Sequence, residues 1–302
     1  MVKVDADRQL PDNGQLFLDH VGWFVHDMAV CAARFSALGF NLTPYSVHGD
    51  RNPESGEISP TGTANRLVML DRGYLEFLVT IDGVDTPVTR HLNGHLDQHE
   101  GVHLAAFSVT DAEAEGARLR GEGFTIMPTV NLRRQVEMED GSQREVAFTL
   151  IRPEFGSFPE GRIQSLVHHT PDEMWQGRYV KNSNGIRALD YVLFVSDAPA
   201  ESARRLARFT GRRDDAMGDD GFEITLDRGR VMCLTRAAGE TFLGGEAIAE
   251  GASVAAIGFK GDTATALEAA KAAGVGARRL ADGRVIIPAE AAMGCCLVVS
   301  ED

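Results

Sequence analysis

One order of elements, a strand, a helix and then a run of strands, recurs four times along this chain, and nothing else in the sequence restricts the fold as tightly. The first copy opens on the strand Leu18-Asp19-His20-Val21-Gly22-Trp23-Phe24-Val25. Met28, Cys31, Phe35 and Leu38 follow at helical spacing, with Gly39 as the stop. A strand around Phe40–Tyr45, a polar loop from His48 to Thr61, and strands Asn65–Leu70 and Tyr74–Thr80 around the hairpin signal Asp71-Arg72-Gly73 complete it. In the second copy Val102–Val109 is a strand. Asp111 caps a helix that Gly121-Glu122-Gly123 ends, and Phe124–Val130, Glu145–Ile151 and Arg162–His168 are strands. The third copy opens on Ala188–Val195. Pro199 then sits in the first turn of a helix with Ser202, Leu206 and Phe209 on one face, and Phe222–Leu226 and Arg230–Thr235 follow. The fourth has Val254–Phe259, a helix capped by Asp262, and strands Arg284–Ile287 and Cys295–Ser300. Strands clustered in threes between single helices indicate an α+β fold of four βαβββ units. The rival, a doubly wound parallel sheet, finds no GxGxxG or GxxxxGK[ST] phosphate loop in its support.

The chain is 302 residues long, which suits two domains, and the polar, turn-rich stretch Pro171–Gly185 divides it into residues 1–170 and 171–302. A formal net charge of −14 opposes binding to nucleic acid or to an anionic membrane. The polar start Met1–Arg8 lacks the apolar run of a signal peptide, and no stretch reaches the roughly 18–20 apolar residues that span a bilayer. Cys31, Cys233, Cys295 and Cys296 form no CxxC pair and sit in apolar runs. They read as buried free thiols, so a cytoplasmic protein is expected.

Three segments carry a resemblance. Leu18–Met28 resembles the opening "LDHV…V.DL" strand of the vicinal oxygen chelate superfamily. Gly62-Thr63-Ala64-Asn65-Arg66-Leu67 with Gly73-Tyr74-Leu75-Glu76-Phe77-Leu78 is similar to the "GTANR…GYLEL" signature of its glyoxalase-like group. Val167-His168-His169-Thr170-Pro171-Asp172, with Trp175 and Asn184-Gly185, resembles that group's "QHLTPE…W…HPNG" stretch. The resemblance implies the glyoxalase/bleomycin resistance/dioxygenase fold, in which paired units form two cup-shaped antiparallel-rich sheets. It also implies a divalent metal inside a cup, held by side chains of the first and last strands of each unit. It does not imply a reaction, because the superfamily supports many.

Alternation along the strands sets the candidates. Glu76 points away from the apolar face of Leu75, Phe77 and Val79, and a carboxylate among apolar neighbours needs a partner, either a metal or an arginine such as Arg66. The resemblance makes His20, Glu76 and His168 metal ligands, with Glu76 alternatively a catalytic proton shuttle. His103 joins them only if its strand carries a bulge. Aligning Val25 and Asp27 with Val109 and Asp111 sets Leu104, not His103, opposite His20. Asn65 and Arg66 are candidates to hold a polar or anionic substrate group, against the plainer reading of Arg66 as a surface ion-pair residue. His91, His95 and His99 line one face of a linker helix, where packing or solvation explains them better than a second metal site. His26 and His48 read as surface or loop residues, with His48 placed to lid the site.

All nine histidines lie at or before His169, and the corresponding strands of the later units offer no His/Glu set, so the second half reads as a vacant, structural cup. Two imidazoles and one carboxylate suit Zn, Ni, Co or Fe better than Mg or Ca. Three functions compete. One is a metal-dependent isomerase, lyase or epimerase acting on a small oxygen-rich metabolite. Another is an Fe(II) extradiol-type dioxygenase. The third is a small-molecule binding protein of the bleomycin-resistance kind. The expected partners are a small-molecule substrate and a second copy of the chain in a homodimer, with neither nucleic acid nor membrane.

Overall fold

The structure, a computed structural model, describes residues 9–51, 55 and 57–301. The reading of Met1–Arg8, and part of that of the loop from His48 to Thr61, lies outside the described residues. Two eight-stranded sheets are built from the four units. The first two units supply β1 (Phe17–Phe24), α1 (Met28–Ala37), β2 (Ser46–Arg51), β3 (Ile58–Met69), β4 (Tyr74–Thr80), α2 (Pro87–Leu96), β5 (Gly101–Ser108), α3 (Ala112–Gly121), β6 (Val130–Glu137), β7 (Gln143–Ile151) and β8 (Arg162–His168). Their strands close into a barrel in the order β1-β4-β3-β2-β6-β7-β8-β5.

The short α4 (Pro171–Met174) leads to the other half: β9 (Ile186–Val195), α5 (Pro199–Thr210), β10 (Asp215–Ala216), β11 (Gly221–Thr225), β12 (Arg230–Leu234), α6 (Arg236–Phe242), β13 (Val254–Gly261), α7 (Thr263–Ala272), β14 (Arg278–Arg279), β15 (Val285–Ile287) and β16 (Cys296–Ser300). These strands form an open sheet ordered β10-β11-β12-β9-β13-β16-β15-β14. In every unit the first strand runs parallel to the last, and the first strands of paired units meet antiparallel, β1 on β5 and β9 on β13. The α+β architecture of paired units is therefore present.

Local chemistry sets the helix ends. Asp27, Asp111 and Asp262 accept hydrogen bonds from first-turn amides of α1, α3 and α7. Gly211 ends α5 at φ +64°, a left-handed conformation that favours glycine. The helices bury Phe35, Leu119, Leu206, Phe209 and Ala270 in one core shared by both halves. That core takes Val21, Trp23 and Phe77 from the barrel and Val192, Phe194 and Phe259 from the open sheet. The Trp23 indole Nε1–H, from the barrel, donates to the Ala292 carbonyl at 3.0 Å. All four cysteines are free and buried, as expected from their apolar runs. No helix among the described residues is long and apolar enough to cross a membrane.

The strands expected at Phe40–Tyr45 and Phe124–Val130 are displaced. The barrel walls there are β2 and β6, and only isolated bridges, Leu42 to Val68 and Ile126 to Pro153, remain in the expected places. The cause lies in β6, Val-Asn-Leu-Arg-Arg-Gln-Val-Glu, which alternates half-buried and exposed residues. A wall with solvent on one side tolerates this alternation, whereas an apolar run is drawn into the core.

Candidate functional site

The barrel is hollow. Alternation turns Tyr74, Glu76 and Leu78 of β4, Thr63, Asn65 and Leu67 of β3, and Arg162, Gln164 and Leu166 of β8 onto a cavity of about 290 Å³. His20 of β1, His48 of β2 and Leu104 of β5 also line it.

Its chemistry is organised from behind by Asp19, a carboxylate with no solvent exposure. The pairing of β1 with β5 shifts register between Leu18 and His20. Asp19 falls at that irregularity, so it and His20 act together where strict alternation would separate them. His20 Nδ1–H donates to Asp19 Oδ1 at 2.7 Å, and His168 Nε2–H donates to Oδ2 at 2.9 Å. Burial pushes the Asp19 carboxyl up, but the two imidazoles, His168 first, outweigh it and hold Asp19 well below the carboxylate range. The ionised Asp19 fixes the His20 tautomer and leaves Nε2 free toward the cavity.

That nitrogen lies 3.7 Å from Glu76 Oε2. Asn65 Nδ2–H donates to Glu76 Oε1 at 2.7 Å, and His48 Nε2 stands 3.9 Å from the same oxygen. His48 Nδ1 is 2.9 Å from the Thr63 hydroxyl, and burial lowers the His48 pKa, which favours a neutral ring. Tyr74 stacks on His20 at 4.4 Å. Burial first, then the charges of Asp19 and Glu76, hold its phenol proton in place. The result is a carboxylate poised between an amide donor and two imidazoles, one of them aligned by a second carboxylate.

The structure brings His20, Glu76 and Asn65 together on the cavity wall. It places the other candidates elsewhere. His168 is turned to Asp19 and enclosed by the rings of Tyr74, Phe148 and Trp175. A bulge does fall at His103, since Gly22 pairs with Leu104 and Trp23 with Val102. Even so, Leu104 takes the cavity position, while His103 packs against Phe24 and His95 and donates from Nε2 to the His99 carbonyl at 2.7 Å. Arg66, one step out of phase with Asn65, donates to the Thr43 carbonyl at 3.1 Å. His91 stacks on Phe155 at 4.1 Å along the linker helix α2.

Sequence reasoning passed over Asp19 and Gln164, read His48 as a surface or loop residue placed to lid the site, and missed the cavity arginines Arg133, Arg134, Arg152 and Arg162. The signal for Gln164 was present, because it shares a strand face with Leu166 along β8.

A first-row divalent ion needs three or four donors converging at about 2.0–2.3 Å. Among the described residues no group of three His, Cys, Asp or Glu side chains could hold one. His20 and His48 face different oxygens of Glu76, one of which Asn65 already engages. The positions that match His20 and Glu76 in the second unit hold Leu104 and Gln164, by the same alignment and by the pairing of Gly22 with Glu76 and of Ala106 with Gln164. Gln164 Oε1 is buried without a partner among the described residues, a single neutral donor. The expected set of His20, Glu76 and His168, with His103 as the conditional fourth, is not assembled among the described residues.

A family model described as a glyoxalase-like domain matches residues 18–210. No curated protein matches the sequence. Among solved structures, a hypothetical protein from Staphylococcus aureus superposes with a TM-score of 0.66 at 11% identity, over 95% of this chain and 100% of that one. A mutant 4-hydroxymandelate synthase from Streptomyces coelicolor gives 0.53 at 10% identity, over 95% and 92%. A xylose isomerase-like TIM barrel/4-hydroxyphenylpyruvate dioxygenase fusion protein gives 0.50 at 11% identity, over 96% of this chain and 50% of that one. At these identities the likeness is one of fold.

Proposed function

The chain belongs to the glyoxalase-like domain family of the vicinal oxygen chelate superfamily, and we propose that it is an enzyme that moves a proton on a small oxygen-rich metabolite, an isomerase, epimerase or lyase. The observation that carries this reading is the aligned set Asp19–His20–Glu76, with Asn65 holding the second oxygen of Glu76. Glu76 is the base at a carbon next to a carbonyl: Oε2, the oxygen that faces His20, takes the proton, while Asn65 holds Oε1. Nε2 of His20, held by the ionised Asp19, exchanges that proton with Glu76 or delivers it to the developing oxyanion. The apolar walls from Leu78, Leu104 and Phe148 exclude water, which strengthens both interactions.

A dioxygenase reading requires two imidazoles and a carboxylate on one iron. Leu104 stands at the position where the second unit would supply its imidazole.

The test is wash-in of solvent deuterium, followed by NMR, into a panel of small 2-oxo and 2-hydroxy acids. Carbon-bound deuterium should appear with the wild type and be lost in Glu76→Gln. Elemental analysis of protein purified without chelator runs beside it. One equivalent of metal that disappears in His20→Ala would replace this reading with a metal-assisted one.

A further inference from the structure

The net charge of the chain is −14, yet its cavity wall carries four guanidinium groups, Arg133, Arg134, Arg152 and Arg162, against the single carboxylate of Glu76. Arg133 is answered outside by Glu145 at 2.8 Å, and Arg134 donates to the Ser46 hydroxyl at 3.2 Å. Arg162 differs from both. Its Nε is buried with no hydrogen-bond partner, and no carboxylate among the described residues forms an ion pair with it. Burial, then the neighbouring charge of Arg152, pulls its pKa down to about 9. Leaving a guanidinium buried without a counter-charge is costly unless something else answers it.

The backbone fixes where that answer sits. Glu76 pairs with Gly22, Gly22 with Leu104, and Leu104 with Arg162, one rung across four strands. Three strand spacings span at most about 14 Å between the outer Cα atoms, and both side chains enter the cavity, which leaves room for a molecule of a few carbons. Gln164, whose Oε1 has no partner among the described residues, lies one side-chain step along β8 from Arg162, on the rung that runs through Ala106 and His20 to Tyr74.

We infer that the substrate is an anion whose carboxylate or phosphate group docks on Arg162, beside Arg152, and reaches across the barrel floor toward Glu76. The inference rests on the proton-transfer reading for the orientation of the bound molecule, not for the anion site itself. A planar guanidinium fork matches either oxyanion, and Arg162 is the positioning group that holds it.

The test is calorimetric titration of the full chain with sodium pyruvate and with sodium phosphate, at constant ionic strength against chloride. Saturable binding is expected for at least one of them, and the stronger of the two identifies the anionic group. Arg162→Met should weaken that binding by about tenfold or more while the thermal midpoint stays or rises, because an unanswered buried charge is removed. Arg162→Lys, which keeps charge and loses the fork, should fall between. Glu76→Gln should bind the anion as well as the wild type or better, so loss of deuterium wash-in with binding intact is a result about Glu76 alone. Absence of saturable binding to both anions, or wild-type affinity in Arg162→Met, would overturn the inference.

Discussion

The barrel and the open sheet are the same units assembled twice, and they differ in what fills the inner face. Leu18-Asp19-His20-Val21 of β1 corresponds to Leu189-Asp190-Tyr191-Val192 of β9. His20 aligns with Tyr191, and Glu76, paired to Gly22, aligns with Met232, paired to Leu193. Tyr191 lies over Gly258, where an added Cβ would collide with its ring. Helix α6, which follows β12 as α2 follows β4, brings Phe242, and Leu243 and Ile248 follow it against Tyr191, Leu193 and Met232. Arg236 laces this plug by donating to the carbonyls of Ile248, Ala249 and Ala252. Edge-strand length goes with the outcome. β2 and β6, of 6 and 8 residues, meet and close the barrel, whereas the edge strands β10 and β14 have 2 residues each and leave the sheet open. A closed wall can stay hollow; an open sheet needs an apolar cover.

The sharpest break in this comparison is chemical. Asp19→Asn keeps the shape but no longer enforces the His20 tautomer, so deuterium wash-in should fall by about 10²–10⁴-fold. The aligned residue Asp190 ion-pairs with Arg230 at 2.9 Å, away from any imidazole, and Asp190→Asn should leave wash-in unchanged. Equal losses in the two variants would show that the halves share the chemistry.

Stability should separate the halves in the opposite sense. Met232→Glu places a carboxylate where Met232 is 1% exposed among Tyr191, Leu193 and Val298. About 3 kcal/mol or more of loss in urea unfolding is expected. Glu76→Met, on a wall already apolar at Leu78 and Leu104, should cost about 1 kcal/mol, chiefly the lost Asn65 hydrogen bond. Similar costs would mean that the second cup is not sealed.

These contrasts also mark what the sequence made legible. β8 was readable to the residue, and β1, β9 and β13 to within a few, because buried first and last strands are short apolar runs between turn signals. β2 and β6 were not, since their polar alternation looks like loop. At the site, His20, Glu76 and Asn65 follow from alternation and family motif together. Asp19 does not, because a register shift overrides alternation, and His103 shows the same rule with the other outcome. Arg162 was hidden because an arginine on a strand ordinarily means surface; only closure of the barrel puts it inside.

The histidine imbalance has a smaller, pH-dependent consequence. Burial first, then nearby charges including His95, Arg152 and Arg162, lowers His91 to about 3, and burial lowers His103 to about 4. Both folded values lie below the unfolded value of about 6.5, so the neutral rings contribute full stability above that pH. As pH falls from about 6.5 toward 4, the unfolded chain takes up protons that the folded barrel does not, and stability is lost, on the order of 2 kcal/mol after allowance for partial exposure. Hydrogen exchange followed against pH should show barrel amides losing protection before those of the histidine-free open sheet. His91→Phe, which keeps the stacking on Phe155, should blunt the difference. Parallel loss in both halves would refute it.

The smallest expected effect belongs to Arg66, the arginine that the motif itself puts forward. It sits between Asn65 and Leu67, both of which line the cavity, so alternation turns it outward, and among the described residues its guanidinium donates to the Thr43 carbonyl. Arg66→Gln should cost about 1 kcal/mol, the worth of one such bond, and change deuterium wash-in and pyruvate binding by less than about twofold. Arg162→Met should do the reverse and weaken binding without loss of stability. The two arginines have the same side chain and lie on strands of the same barrel; what separates them is the face of the strand. If Arg66→Gln weakened anion binding as strongly as Arg162→Met, face would not be what decides, and the assignment of the cavity wall from strand phase would have to be redrawn.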